Sequence, residues 1–561
     1  MGAVVQLHSD SSSHHTSAQQ QDQTHSTWQP DKTKQQQPNM QHDESNIKDA
    51  SKLAEAHSGK AAAAAMPSSH SLASLRSSSS RSVFELYSKK QKAYILATVS
   101  LASLMVPLCD TVYLPALQSI QQEFRTTQQL VAASVAVYMF TVGAASLGWG
   151  PASDRFGRKR VYLAATVAFM ATSLVCVFAN SIGLLIAFRA LQGASVAAYG
   201  ATGSGVIADV YKPQERGMAL GIVTIPMLVG PILGPILGGA LSQAFSWRST
   251  FIMVAMYAAL IILPMAAFMP ETHQYKKLRR MHKRDPEAAA EVEEAASIFS
   301  TPPVFKAPHY PIKILCEKDI VLHAIVALLL FGSMFCSITE LPLYLAATPY
   351  NLSAAMIGLC YIPAGLASMI VSPLGGLLSD KAAAAHPGKP LVRLVYNNVI
   401  SGVLMPASLL LYGWVMQAKL HLAVVLVSQF AIGVALASYL PAIFGYLTAL
   451  KQSAAAAAAA GVHSGMFIMS GVLILVASAA ASAMGMGPFF TLLAGLNLLT
   501  TGAAALQIFR HREASREMIR SASRAQLAAA AAAAAGTDEA GESTSRSSGE
   551  DVESGAGGAK E

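Results

Sequence analysis

Apolar runs long enough to cross a lipid bilayer recur through the middle of this 561-residue chain. A helix needs about 20 mostly apolar residues to cross a hydrocarbon core about 30 Å thick. Only 13% of the residues are charged, whereas soluble domains carry about 25%. We place twelve runs at 93–116, 130–150, 160–179, 182–207, 217–240, 249–269, 320–345, 355–379, 392–416, 421–449, 455–482 and 487–509. The sequence therefore predicts an all-α membrane protein with twelve transmembrane helices, and it excludes a soluble or single-span protein.

The polar segments divide the chain into five parts. Residues 1–88, rich in Ser, Gln and His, and residues 511–561, rich in Ala, Glu, Gly and Ser, contain too few apolar residues to build a core. We predict that both are disordered cytoplasmic tails. Between them we expect a six-helix half at 89–269, a cytoplasmic central loop at 270–319 and a second six-helix half at 320–510.

The positive charges indicate how the helices are oriented in the membrane. With the N-terminus inside, the outer loops contain only Arg125, Arg248 and Lys419, whereas the other side holds cationic clusters such as 155–160 and 276–284. Because lysine and arginine accumulate in cytoplasmic loops, both termini are predicted to be cytoplasmic. The net charge of +8 then reflects membrane topology, with no nucleic acid as a partner. We expect a monomer in the plasma membrane, with a vacuolar or other internal membrane as an alternative.

The central loop allows two interpretations. Its basic stretch, 276–284, is followed by an acidic stretch at 285–294. A basic helix can lie on the anionic inner leaflet, but charge runs also occur in solvated linker helices. The sequence leaves both open.

The two halves contain similar segments. The segment 150–155 after the second helix is repeated as 376–381 after the eighth, with Gly, Ser, Asp and a cation at matching positions. Asp110 in the first helix and Glu340 in the seventh each precede a proline. This order of matches predicts duplicated halves, which place a binding site near the membrane midplane between them.

Five segments carry a resemblance to a known family. They are Gly150-x-x-x-Asp154-Arg155-x-Gly157-Arg158-Lys159, Arg189-x-x-Gln192-Gly193, Gly230-Pro231 with Gly234-Pro235-x-x-Gly238-Gly239, Pro270-Glu271-Thr272, and Asp110-Thr-x-Tyr113-Leu114-Pro115. With these segments the chain resembles the major facilitator superfamily, and within it the twelve-span drug–proton antiporters, particularly fungal ones. The second half departs from the pattern, because alanines follow Lys381 instead of Gly-Arg-Lys. We expect weaker gating contacts there.

The resemblance implies a proton-coupled secondary active transporter that exports a small organic solute by alternating access. A drug-like compound, an organic acid or a secondary metabolite would fit, and efflux and multidrug resistance are the associated roles. An importer or facilitator of the same fold, or a transporter-like nutrient sensor, remain alternatives. The sequence contains no ATP-binding phosphate loop, nucleophile–base set or metal-ligand spacing, so we predict no enzyme activity, no cofactor and no metal site. The expected partners are the solute, protons and the lipid bilayer.

Three charged residues are predicted to lie at membrane depth, where a charge is costly unless it faces a cavity or a partner. Asp110, Glu340 and Arg189 are therefore candidates for proton or substrate coupling, with a structural ion pair as the alternative. The candidate cavity-lining residues, which could equally pack an ordinary interface, are Tyr113, Tyr138 and Gln192.

Three further groups are candidates for gating. The loop group, where charge contacts that form in only one conformation would bias alternating access, comprises Gly150, Asp154, Arg155, Gly157, Arg158 and Lys159. The antiporter-helix group, where glycines permit close helix approach and prolines bend the helix, comprises Gly230, Pro231, Gly234, Pro235, Gly238 and Gly239. The second-half group comprises Gly376, Asp380 and Lys381. A plain topology signal and generic small-residue packing are the alternative explanations.

Overall fold

The computed structural model describes residues 82–292, 295–300 and 309–511, with isolated helical positions beyond. Most of the two predicted tails lies outside the described residues, as do two short pieces of the predicted central loop.

Within these residues, twelve helices are long and apolar enough to cross a membrane, which confirms the predicted architecture. We name them TM1 to TM12: Lys89–Glu123, Gln128–Phe156, Arg158–Val177, Ile182–Val210, Gln214–Ala244, Arg248–Phe268, Lys318–Leu345, Ala354–Ala385, Pro390–Gln417, Leu422–Leu450, Ala455–Met484 and Met486–His511. Most extend a few residues beyond the predicted limits, because an apolar run does not include the polar turns at helix ends. The connection between TM6 and TM7 contains the short helices Gln274–Arg284, Pro286–Ala290, Ala295–Ser300 and Tyr310–Leu315.

Polar side chains fix where several spans begin. At TM1, the Ser88 hydroxyl accepts a hydrogen bond from the Gln91 backbone N–H, and the Gln91 side chain accepts one from the Ser88 backbone N–H. This reciprocal pair satisfies two otherwise unpaired donors at the helix start. Ser181 and Ser353 cap the starts of TM4 and TM8 with a single hydrogen bond each.

TM1 is interrupted rather than continuous. Its α-helical segments, Lys89–Ser103, Met105–Val112 and Leu117–Glu123, are separated by Leu104 and by the tighter turn Leu114–Ala116. Proline in the helix interior removes a backbone donor, and Pro115 lies in that turn. Asp110 lies in the middle segment, so the interruptions flank the acidic residue.

The first six and the last six helices meet along two interfaces. TM2 packs on TM11, where the Ser464 hydroxyl donates to the Gly143 carbonyl oxygen at 2.6 Å. TM5 packs on TM8, where Gly358 lies against the Pro235 carbonyl group. Small residues allow the backbones to approach closely at both places.

Hydrogen bonds also join the halves at one end of the bundle. The Gln128 side-chain amide donates to the Glu340 carboxylate at 2.8 Å, and the Ala355 backbone N–H donates to the Gln243 side-chain oxygen at 3.1 Å. The Gln118 amide donates to the Ala346 carbonyl oxygen at 3.5 Å. The halves are thus held together at this end, which is the outer end in the predicted orientation.

Glycines bring TM5 into backbone contact with TM1. A Cβ atom built on Gly238 would lie 1.8 Å from the Val112 carbonyl oxygen, and one on Gly234 would lie 2.1 Å from the Thr111 hydroxyl oxygen. On the other side, a Cβ on Gly239 would lie 2.3 Å from the Ala354 carbonyl oxygen at the start of TM8. TM5 is therefore wedged between a helix of its own half and one of the other half.

We predict that Gly238→Ala destabilises the protein, whereas Gly221→Ala in the same helix does not. The alanine at 238 meets backbone, which cannot rotate away, and overpacking of this kind costs about 1–3 kcal/mol. A Cβ on Gly221 has no neighbour within 4 Å. Thermal unfolding of the two purified variants in detergent measures the difference, and equal midpoints would contradict the proposed contact.

Candidate functional site

A small cavity lies between the two halves. Its volume is about 60 Å³, and TM1, TM5, TM7 and TM8 all contribute to its wall. The lining residues are Pro107, Asp110, Thr111, Pro231, Met334, Phe335, Ile338, Tyr361, Ala364, Gly365 and Ser368. The wall is largely apolar, and Asp110 is the only one of these residues with an ionisable carboxyl group.

Asp110 is almost fully enclosed. Its exposed fraction is 2%, and its Oδ1 atom has no hydrogen-bond partner among the described residues. An ionised carboxylate at membrane depth is costly unless a cation or a proton compensates it. The position of Asp110 at the cavity makes it available to a cation, a polar solute group or a proton.

Arg189 lies inside the first half without a carboxylate partner among the described residues. It is completely buried, and its Nη1 atom donates to the Gln192 side-chain oxygen at 2.8 Å. The guanidinium carbon lies 3.9 Å from the centre of the Tyr138 ring and 4.8 Å from that of Tyr113. Aromatic faces attract cations, so the two tyrosines partly compensate a charge whose Nε and Nη2 atoms have no hydrogen-bond partner in the described part of the chain.

The three residues predicted to line a cavity therefore surround Arg189. Tyr113, Tyr138 and Gln192 are all fully buried and are not among the lining residues of the 60 Å³ cavity. The Tyr113 hydroxyl contacts the Ser134 hydroxyl at 2.6 Å, and the Gln192 amide donates to Ser173 at 2.7 Å. In this conformation they pack the first half, and a cavity-lining role remains a prediction.

Glu340 occupies a different environment from Asp110. It is 1% exposed and lies where TM7 meets TM2, with Oε2 accepting from Gln128 and Oε1 without a partner among the described residues. The two acids, which occupy related positions in the repeat, therefore lie in different environments. Asp110 faces the cavity, whereas Glu340 joins the two halves.

The loop after TM2 forms a charge cluster. Arg158 pairs with Asp154 at 2.8 Å and with Asp209 at 2.9 Å, and it donates to the Ser153 hydroxyl at 2.5 Å. All these partners belong to the first half. Asp209, at the end of TM4, was not predicted from the sequence, although an acid at the end of a span was a usable signal.

Glu271 is a second partner that the sequence did not predict as a site residue, although its Pro-Glu-Thr segment was part of the resemblance. Its carboxylate accepts hydrogen bonds from the backbone N–H groups of Arg158 at 2.9 Å and His273 at 3.2 Å. A carboxylate is favoured at the N-terminus of a helix by the helix dipole, and here it caps TM3. Gly157 has φ +100°, and a Cβ atom there would lie 2.4 Å from Glu271 Oε2, so glycine fits this position for two reasons.

The other predicted gating residues have fewer contacts. Lys159 donates to the Ala266 carbonyl oxygen at 2.8 Å, Arg155 is exposed, and a Cβ on Gly150 has no neighbour within 4 Å. In the second half, Asp380 pairs with Arg393 at 2.6 Å. That arginine was not predicted, and Lys381 and Gly376 take no part in the pair.

We predict that Glu271→Ala lowers the thermal stability of the protein and that Glu291→Ala does not. Removing a helix cap costs about 0.5–2 kcal/mol, and the uncapped N–H groups lie in a partly buried position. Glu291 is exposed in the same connection and serves as the control. Identical unfolding midpoints for both variants would rule out the cap.

Comparisons with known proteins agree with this fold. The family model of the Major Facilitator Superfamily matches residues 99–467. The MFS transporter fsa7 of Fusarium sp. (strain FN080326) is 29% identical over 428 residues, covering 74% of this chain and 83% of that protein. Citrate exporter 1 of Aspergillus niger is 27% identical over 328 residues, covering 54% of this chain and 60% of that protein.

A crystal structure of a D-xylose-proton symporter superposes with a TM-score of 0.57 and covers 73% of this chain and 96% of that one, at 14% identity. This likeness concerns the fold alone. The sequence relatives are fungal transporters rather than enzymes. The family match spans more than half of the chain, so this multi-pass membrane protein, a transporter of small solutes, belongs to the Major Facilitator Superfamily.

Proposed function

We propose that this transporter exports a small organic solute in exchange for protons, by alternating access. The observation that carries the proposal is Asp110, a carboxyl group without a full set of partners at a cavity between the halves. A family relative named as a citrate exporter supports the outward direction, and so does the resemblance of TM5 to the antiporter helix.

Proton exchange follows from the cost of an uncompensated charge. When Asp110 is ionised in a largely apolar wall, a proton or a solute group must compensate it. If both compete for the same carboxylate, each one displaces the other. A proton that enters from outside and leaves to the cytoplasm then drives the solute in the opposite direction.

TM5 is the element that we propose links the cavity to the conformational change. Pro231 belongs to the cavity wall, Gly234 and Gly238 contact TM1, and Gly239 contacts the start of TM8. Because packed interfaces have discrete arrangements, a change of the wall is transmitted as a shift of whole helices. The contacts of Gly239 with TM8 would break when the outer end opens.

The loop cluster is proposed to stabilise one conformation. Arg158 joins TM3 to Asp154 and Asp209, so the cytoplasmic ends of TM2, TM3 and TM4 move together. Asp154 is half exposed, and it can exchange partners as the halves move. The Asp380–Arg393 pair is proposed as the weaker counterpart in the second half.

The cavity wall favours an amphiphilic solute. Apolar surface opposite a single carboxylate is offered by Met334, Phe335, Ile338 and Tyr361. Such a wall suits a neutral or cationic drug-like compound or secondary metabolite better than an organic acid.

We propose a monomer, because one chain supplies the whole cavity wall. We place the protein in the plasma membrane with cytoplasmic termini, from the distribution of lysine and arginine.

We predict that Asp110→Asn abolishes solute-driven proton movement in proteoliposomes. Ethidium and citrate serve as cationic and anionic probes, with an interior pH indicator as the readout. In the wild type, solute flux should be coupled to the pH gradient. In the variant the coupled rate should be at least about tenfold lower, because a tenfold change corresponds to the loss of an interaction worth about 1.4 kcal/mol. Glu291→Gln, at an exposed carboxylate in the connection between TM6 and TM7, is the matched control.

Three outcomes would contradict the proposal. Unchanged coupling in Asp110→Asn would remove this residue from the mechanism. Solute flux through the wild-type protein that does not depend on the pH gradient would indicate a facilitator. No flux of either probe through wild-type protein that is proven to be folded would favour a sensor.

We predict that Glu340→Ala opens the outer end more often. The variant loses the hydrogen bond between Glu340 and Gln128, which joins the halves, and an intramolecular hydrogen bond contributes about 0.5–1.5 kcal/mol. Distances between spin labels at residues 125 and 419, in the outer loops, measure the opening. The long-distance population should grow relative to the wild type, and Gln122→Ala, at an exposed position, should leave it unchanged. No growth would show that this bond does not hold the halves.

A further inference from the structure

A group of cations lies at the start of TM3 and in the helix Gln274–Arg284, which is hydrogen-bonded to the end of TM2. Arg160 is in the first turn of TM3, and Lys276 and Arg280 belong to the other helix. The Lys276 ammonium group donates to the Arg155 carbonyl oxygen at 2.6 Å, which ties the second helix to the end of TM2. More than one hundred residues of sequence separate the two segments, so folding brings these cations together.

The helix Gln274–Arg284 presents its cations outward because its other face is occupied. Leu278 is completely buried in a small apolar cluster with Val83 and Val292. The Lys277 ammonium group lies 3.2 Å from the centre of the Tyr87 ring. Arg279 and Arg280 are exposed on the side away from that cluster, as expected from a period of 3.6 residues. The apolar face is therefore not available to insert into lipid.

Arg160 and Arg280 lie close enough to Lys276 to act on its charge, and so does Glu271. Burial lowers the pKa of Lys276, Glu271 opposes this change, and Arg160 and Arg280 lower the pKa further. In the part of the chain that the structure describes, no carboxylate forms an ion pair with Arg160 or Arg280. Like charges held together raise the energy of the protein, and an anionic ligand would lower it.

The position of Arg160 indicates that the ligand comes from the bilayer. Positions separated by seven residues lie on one face of a helix, and on TM3 that face runs from Arg160 to Val167 and Leu174. Both apolar residues are 43% exposed, as expected of side chains in contact with lipid. Arg160 thus lies on the lipid-facing side, at the end of the span where the headgroups are.

We propose that Arg160, Lys276 and Arg280 bind the phosphate-bearing headgroup of an anionic lipid, whose acyl chains lie along the exposed face of TM3. Lysine and arginine near an anionic membrane surface attract its headgroups electrostatically. Bound lipid would join TM3 to the central loop and stiffen the cytoplasmic face of the first half. The proposal depends neither on Asp110 nor on the direction of transport.

Binding of short-chain phosphatidylinositol 4,5-bisphosphate to the purified full-length protein in detergent tests the site. The dissociation constant is measured for the wild type and for a variant with Arg160→Gln, Lys276→Gln and Arg280→Gln. We expect binding at least about tenfold weaker in the variant, consistent with three lost cations. The control variant carries Lys313→Gln, Lys381→Gln and Lys389→Gln, which remove three cytoplasmic-side cations elsewhere, and it should bind like the wild type.

Two further arms identify the source of the anion. Short-chain phosphatidylcholine should not compete, and free inositol trisphosphate should bind at least about tenfold more weakly than the lipid, because it lacks chains to bury. Equal binding of the free headgroup would replace the lipid with a soluble anion and overturn the proposal. Wild-type binding in the triple variant, or equal loss in the control, would also overturn it. If the triple variant unfolds, Arg160→Gln alone should weaken binding and Arg160→Lys should retain it.

Discussion

The buried carboxyl group of Asp110, whose Oδ1 atom has no hydrogen-bond partner among the described residues, is the constraint on which the rest of the functional architecture depends. Measurements of helix insertion into membranes give a cost of about 2.5–3.5 kcal/mol for an aspartate at the centre of a membrane helix. A folded membrane protein tolerates such a residue only where another interaction offsets this cost. Arg189 lies nearby in the same half but engages Gln192 and two tyrosine rings instead. Asp110 is left for a ligand or a proton, and the interruptions of TM1 place it at the cavity between the halves.

Close backbone contact explains how an event at that cavity could reach both halves. TM5 contributes Pro231 to the wall and uses glycines to approach TM1 and the start of TM8. Any side chain at Gly238 would separate TM5 from TM1. The hydrogen bond between Glu340 and Gln128 adds a polar contact at the closed end. Dense packing and a few polar contacts thus hold the two halves together at this end.

The sequence was sufficient for the fold but only partly for the candidate site. Span lengths, loop charges and the repeat predicted twelve helices, because the bilayer allows few alternatives. Asp110 and Glu340 could be recognised from the sequence as candidate site residues, because a charge within a membrane span is costly. Asp209, Glu271 and Arg393 were not predicted, since their contacts cross 51, 113 and 13 residues of sequence and depend on how helices are arranged. The burial of Tyr113 and Tyr138 around Arg189 likewise required the tertiary structure.

Competition between proton and solute for Asp110 can be measured directly by counting the protons released when solute binds. Purified protein in weakly buffered detergent is titrated with a solute that supports flux, and a pH indicator records the release. Competition predicts net proton release on binding in the wild type, which rises with solute and disappears in Asp110→Asn. Solute binding without any proton release at every pH, with the same affinity in both proteins, would contradict proton exchange at this residue.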